Sequence, residues 1–79
     1  MKLTLARGDD WSALYIDGFL HAQDHGTDWA DAVDVILETV KNAYPEGVIF
    51  EQEEFQVDDQ WLYDCGTMPE ELELVKRAE

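Results

Sequence analysis

His21, Asp24, His25 and Asp28 bring two imidazoles and two carboxylates close together, residue types that suit zinc or another divalent ion. Their spacing matches no established ligand pattern, and a packed ring at His21 with a polar loop side chain at His25 accounts for both. Calcium needs oxygen ligands at alternate positions around a central glycine with a closing glutamate, an order that neither "DHGTDWADAVD" nor "DDQWLYD" supplies. Cys65 has no neighbouring base or lysine to activate it and reads as a small buried or half-buried thiol. Acid–base catalysis requires carboxylates in contrasting environments around a cavity, and no Ser/His/Asp or Cys/His set here carries a supporting motif such as a nucleophile elbow. The chain therefore reads as a non-enzyme with no cofactor and no dedicated metal site.

What the sequence holds in excess is negative charge. The net charge is −14, from 19 acids against five bases. Lys2 and Arg7 lie near one end and Lys76 and Arg77 near the other, so residues 9 to 74 carry 18 acids and only Lys41, a formal −17. The stretch "EQEEFQVDDQWLYD", residues 51 to 64, places six carboxylates among three aromatic rings with no base at all. Such a surface repels nucleic acid and anionic membranes, and the partner it favours is a basic protein surface.

The elements that position these side chains can be read from periodicity and punctuation. At 79 residues, with 46% apolar residues, the chain reads as one folded domain, 1–79. Residues 2–6 alternate as a strand. Residues 11–16 and 19–23 form a hairpin about Asp17-Gly18, a dipeptide suited to a type I′ turn, with Ile16 opposite Phe19 and Leu14 opposite His21. Both faces of that hairpin are partly apolar, which predicts packing on each.

A helix is expected from about Asp28 to Tyr44, capped by Thr27 and stopped by Pro45. On a helical wheel Trp29, Ala32, Val33, Ile36, Leu37 and Val40 share an arc of roughly 140°, the expected core face, with Asp31, Asp34 and Glu38 nearly opposite. A strand over 47–57 follows, with Phe50 and Phe55 at opposite parity suggesting a bulge near Glu53-Glu54. "DDQWLYDCG" predicts a short helix capped by Asp58 or Asp59 and ended by Gly66, and "TMPEELELVKRAE" a last short helix begun by Thr67. The expected fold is α+β: a small antiparallel sheet in βββαβ order, one amphipathic helix packed on it, and short C-terminal helical segments.

The lone cysteine excludes an internal disulfide and suits a reducing cytoplasm. "MKLTLARGDDW" lacks the apolar region of a secretory signal, and no run approaches the roughly 20 apolar residues of a membrane span.

Two explanations of the acidity differ in what they require. Solubility or salt adaptation needs no partner. Phosphate mimicry needs spaced carboxylates: along the helix Asp31 to Asp34 rises about 4.5 Å and Asp34 to Glu38 about 6 Å, steps close to a single-strand phosphate track. Aromatic rings among the acids suit a binding face, where they anchor a charged rim, although core packing also claims Trp11, Trp29 and Trp61. Mimicry assigns partner contact to Asp28, Asp31, Asp34 and Glu38 on the helix and to Glu51, Glu53, Glu54, Asp58, Asp59, Trp61 and Asp64 beyond it.

In size, acidity and lack of a catalytic motif the chain resembles the phage-encoded anti-CRISPR proteins that act as DNA mimics. "LYIDGFLHAQDH" also resembles short phage and bacterial open reading frames with a Leu-Tyr-x-Asp-Gly hairpin. The resemblance implies a stoichiometric inhibitor, monomeric or homodimeric, in the cytoplasm of a bacterial host, occupying the basic DNA-binding channel of a CRISPR effector complex. The alternative is a small homodimeric or toxin–antitoxin type interaction protein whose charge serves solubility.

Overall fold

The computed structural model describes residues 1–43 and 49–78. Strands β1 (Lys2–Arg7), β2 (Ser12–Ile16) and β3 (Phe19–Asp24) precede helix α1 (Trp29–Ala43), strand β4 (Glu51–Gln56), helix α2 (Asp59–Cys65) and a 3₁₀ turn at Leu72–Leu74. The βββαβ order is the expected one. Asp17 and Gly18 both take positive φ, 50° and 88°, the backbone of a type I′ turn.

The four strands lie in the order β3-β2-β1-β4. The sheet is mixed rather than antiparallel, because α1 crosses from β3 at one edge to β4 at the other and sets β4 parallel to β1. Ile16 faces Phe19 as expected, but an irregularity between Leu14 and Tyr15 puts Leu14 opposite Ala22 and leaves His21 as the extra residue. The bulge predicted at Glu53-Glu54 is absent, and β4 pairs with β1 in unbroken register from Glu51 to Gln56. Phe50 and Phe55 differ in parity because each packs on a different face of the sheet.

Both faces are covered. On one, Leu3 and Leu14 meet Ala32 of α1, with Trp29, Val35, Ile36 and Phe50 packed around them. On the other, Ala6, Ala13 and Tyr15 meet Val57, which follows β4, together with Leu62 of α2 and Met68 and Val75 of the C-terminal segment. That segment forms no helix at Thr67. Its backbone bonds to the sheet instead: Leu20 N donates to Glu70 O, Leu72 N to Gly18 O and Ala78 N to Gln56 O. Anchoring Met68 and Val75 on the same sheet face favours this extended path over a helix.

α1 begins in a reciprocal cap. Asp28 accepts from the Ala30 amide at 2.8 Å, and Asp31 accepts from the Asp28 amide at 2.9 Å, so Asp28 rather than Thr27 is the capping residue. The predicted end at Tyr44, the Pro45 stop and the predicted strand start at Gly47 lie outside the described residues. The helix is also turned by about 60° from the expected orientation. Val35 faces the core, while Val33, Leu37 and Val40 are 49%, 62% and 49% exposed. No described helix is long and apolar enough to cross a membrane.

Candidate functional site

The electrostatics of the surface follow from where the chain's few bases go. Parallel pairing of β1 with β4 carries Lys2 and Arg7 to the carboxylates of β4: Lys2 Nζ lies 2.8 Å from Glu53 and Arg7 Nε 3.1 Å from Glu54. The returning C-terminal segment adds Arg77 on Glu53 and Lys76 at 3.5 Å from Asp58. Arg77 also covers the Phe55 ring, its guanidinium 4.0 Å from the centroid. The stretch that is all acid in sequence thus meets four bases in space, and Glu53, Glu54 and Asp58 act as internal counter-charges.

Hydrogen bonds from Lys2 and Arg77 hold the Glu53 carboxyl below the usual glutamate range. The Asp58 carboxyl is lowered chiefly by the Trp61 amide that it caps at 3.0 Å, with Lys76 assisting. A depressed carboxyl stabilises the fold above its unfolded-state value, and that contribution is lost as pH falls through the folded value. Glu53→Gln is expected to cost no more than about 1 kcal/mol at pH 7, since all its partners are half exposed. The gap between the variant and the parent should narrow as pH falls from the ordinary glutamate range through the lowered folded-state value, where the parent's Glu53 is protonated too. Melting temperatures at pH 7 and pH 3 measure both effects.

The remaining predicted contacts divide by location. Asp34 and Glu38 project from the outer side of α1, exposed and without an ion-pair partner among the described residues, next to the exposed row Val33, Leu37 and Val40. Asp28 and Asp31 belong to the same helix but cap its first turn. Glu51 is exposed on edge strand β4, and Asp64 is exposed on α2, where it accepts from Gln60 at 3.2 Å. Trp61 is half-buried against the core formed by Tyr15, Leu62 and Met68 and does not stand free as an anchor. The exposed apolar row on α1 was hidden from sequence reading because its periodicity is that of a core face.

Asp59 belongs to a second acidic site. The loop between β1 and β2 folds onto α2, with Gly8 N donating to Trp11 O at 2.7 Å and Asp9 N to Asp59 Oδ1 at 2.7 Å. Between loop and helix lies a cavity of about 240 Å³ lined by Asp9, Asp10, Trp11, His25, Asp59, Leu62, Tyr63 and Gly66. Gly8 permits the close approach: a Cβ there would sit 2.6 Å from Leu62 Cδ2 and 2.7 Å from Trp11 O. Gly8→Ala should therefore cost about 1–3 kcal/mol by forced displacement of backbone, measurable by urea denaturation.

The histidines do not converge. His21 borders Asp34 and Glu38 on the α1 side, whereas His25 sets its ring edge-on to Trp11 with centroids 4.8 Å apart. Among the described residues no three His, Cys, Asp or Glu side chains are grouped to hold a metal ion. Cys65 is exposed rather than buried, because α2 is only about two turns long and buries Leu62 alone.

No family model matches the chain, and neither a curated protein nor a solved structure is detectably similar to it.

Proposed function

We propose that this protein is a non-enzymatic inhibitor that binds the basic, nucleic-acid-binding surface of another protein by phosphate mimicry, with a CRISPR effector complex as the target that the resemblance implies. The observation that carries the reading is the outer side of α1, where the exposed Asp34 and Glu38 carboxylates run along one side of the exposed row Val33, Leu37 and Val40. Four of the five bases are engaged elsewhere, on β4 and the start of α2, and with Asp31, Asp34 and Glu38 set against Lys41 alone the helix stays net negative. A charged rim around apolar anchors is what a specific interface needs: the charges steer encounter with Lys and Arg, and burial of the apolar row slows release.

A second reading uses the same row. Lys41 shares the exposed side of α1, so two antiparallel copies could set Lys41 against Asp34 across a homodimer. DNA binding by purified CRISPR effector complexes, with and without excess protein at two salt concentrations, separates the two. Mimicry predicts inhibition that weakens as salt rises. No inhibition across such a panel, together with a dimer in sedimentation, transfers the α1 face to the second reading.

A further inference from the structure

The cavity between the β1–β2 loop and α2 has the composition of a cation receptor. Trp11, Leu62 and Tyr63 supply flat and apolar walls, and Asp9, Asp10 and Asp59 supply negative charge. Among the described residues Asp9, Asp10 and Asp59 pair with none of the chain's own bases, four of which lie on Glu53, Glu54 and Asp58. Its main wall is held in place in advance of any ligand. Trp11 Nε1 donates to Gln23 Oε1 at 2.7 Å, the His25 ring abuts Trp11, and His25 Nδ1 lies 2.9 Å from Asp10 O. The Asp9 amide pins one Asp59 oxygen, which fixes that carboxylate beside the cavity.

We propose that this cavity receives an arginine side chain of the partner protein. Charge complementarity selects a cation, and the aromatic walls select the kind. A guanidinium is planar, delocalised and weakly hydrated, so it stacks on Trp11 or Tyr63 while its N–H groups reach the carboxylates. An ammonium, compact and strongly hydrated, uses those walls less well. The site deepens the functional reading above, resting on its assignment of a basic partner, and lies apart from the α1 face. It adds a discrete anchor to a diffuse field.

The test needs no partner. The full chain is titrated with N-acetyl-arginine methylamide, and ¹H–¹⁵N shifts are followed at the Trp11 indole and the Gly66 amide, with the citrulline and lysine analogues as neutral and ammonium controls. The expected result is saturable binding of the arginine compound in the millimolar range. Citrulline should give no saturation and lysine should bind at least threefold more weakly. Tyr63→Ser, at a position 64% exposed, should leave the remaining spectrum unchanged and weaken arginine binding at least threefold. Equal shifts from citrulline, the absence of saturation, or a Tyr63→Ser variant that binds as the parent does would each overturn the proposal. Failure here leaves the inhibitor reading to be judged by effector inhibition, and arginine saturation without inhibition would keep the pocket while removing that reading.

Discussion

Reversing Asp34 and Glu38 together to lysine is expected to leave the domain folded and, if the proposed inhibitor reading holds, to lower its affinity for the basic partner by about a hundredfold or more. Both side chains are exposed, and neither caps a helix end nor joins an ion pair among the described residues. Surface changes of this kind usually alter stability by within about 0.5 kcal/mol. Facing Lys and Arg on the partner, the new lysines set like charges together, at a cost of several kcal/mol. Asp31 is left out of the variant because its carboxylate takes the Asp28 amide in the helix cap. Replacing it would mix a folding defect of about 1 kcal/mol into the binding result.

The control is Glu70→Lys with Glu73→Lys, which changes net charge equally on exposed positions of the C-terminal segment. It should slow association while leaving most of the affinity, since distant charges act through a screened field. Calorimetry or surface-based kinetics reads both variants. An affinity loss shared equally by the control would mean that total charge, and not the α1 face, is what the partner senses.

The largest effect on folding is expected at Tyr15. Its side chain is fully buried among Val57, Leu62 and Met68, and its hydroxyl donates to Pro69 O at 2.6 Å, tying β2 to the C-terminal segment. Tyr15→Ala should cost about 3–5 kcal/mol, the range for removing a buried aromatic ring. A domain of this length has only about 4–12 kcal/mol to lose, so the variant is expected to be marginal. Tyr15→Phe keeps the packing but strands the Pro69 carbonyl, for about 1–2 kcal/mol.

Burial also pushes the Tyr15 phenol up to about 12 from its ordinary 10.0. A raised folded-state value means that the neutral phenol's contribution is complete below pH 10 and is lost as pH climbs from 10 toward 12. That component is of order 2–3 kcal/mol. Chemical denaturation at pH 7 and pH 11.5 should show a steeper alkaline loss for the parent than for Tyr15→Phe. Parallel losses would place the phenol in water.

The legible parts of the fold were those specified by a few adjacent residues. Asp17-Gly18 declared its turn, and Asp58 with Gly66 declared both ends of α2: the Asp58 side chain takes the Trp61 amide, and Gly66 sits at φ 77° with its amide on Leu62 O. The alternating apolar residues of β2 and β3 correctly implied cover on both faces. Parity was misleading in β4, because a strand covered on both sides can bury Phe50 on one face and Phe55 on the other without a bulge.

The candidate site was less legible for a related reason. Local charge shows which residues are acidic and not which bases arrive from elsewhere. Lys2 and Arg7 reach the 51 to 64 stretch through parallel strand pairing, and Lys76 and Arg77 through a bridge between Val57 and Arg77, both long-range events. The apolar arc of α1 was wider than the strip the sheet covers and off-centre from it, so the arc took in Val33, which is exposed, and left out Val35, which faces the core. The loop cavity, by contrast, left a trace, since Trp11 follows Asp9-Asp10 and Tyr63 neighbours Asp64.

Under the proposed inhibitor reading, this protein and nucleic acid compete for one basic surface. Native mass spectrometry of an effector complex mixed with target DNA and this protein tests it directly. The expected result is complexes holding DNA or the protein but never both, with the balance moving toward DNA in the Asp34→Lys/Glu38→Lys variant. A ternary complex carrying both would contradict it, because a surface occupied by phosphates has no place for their mimic.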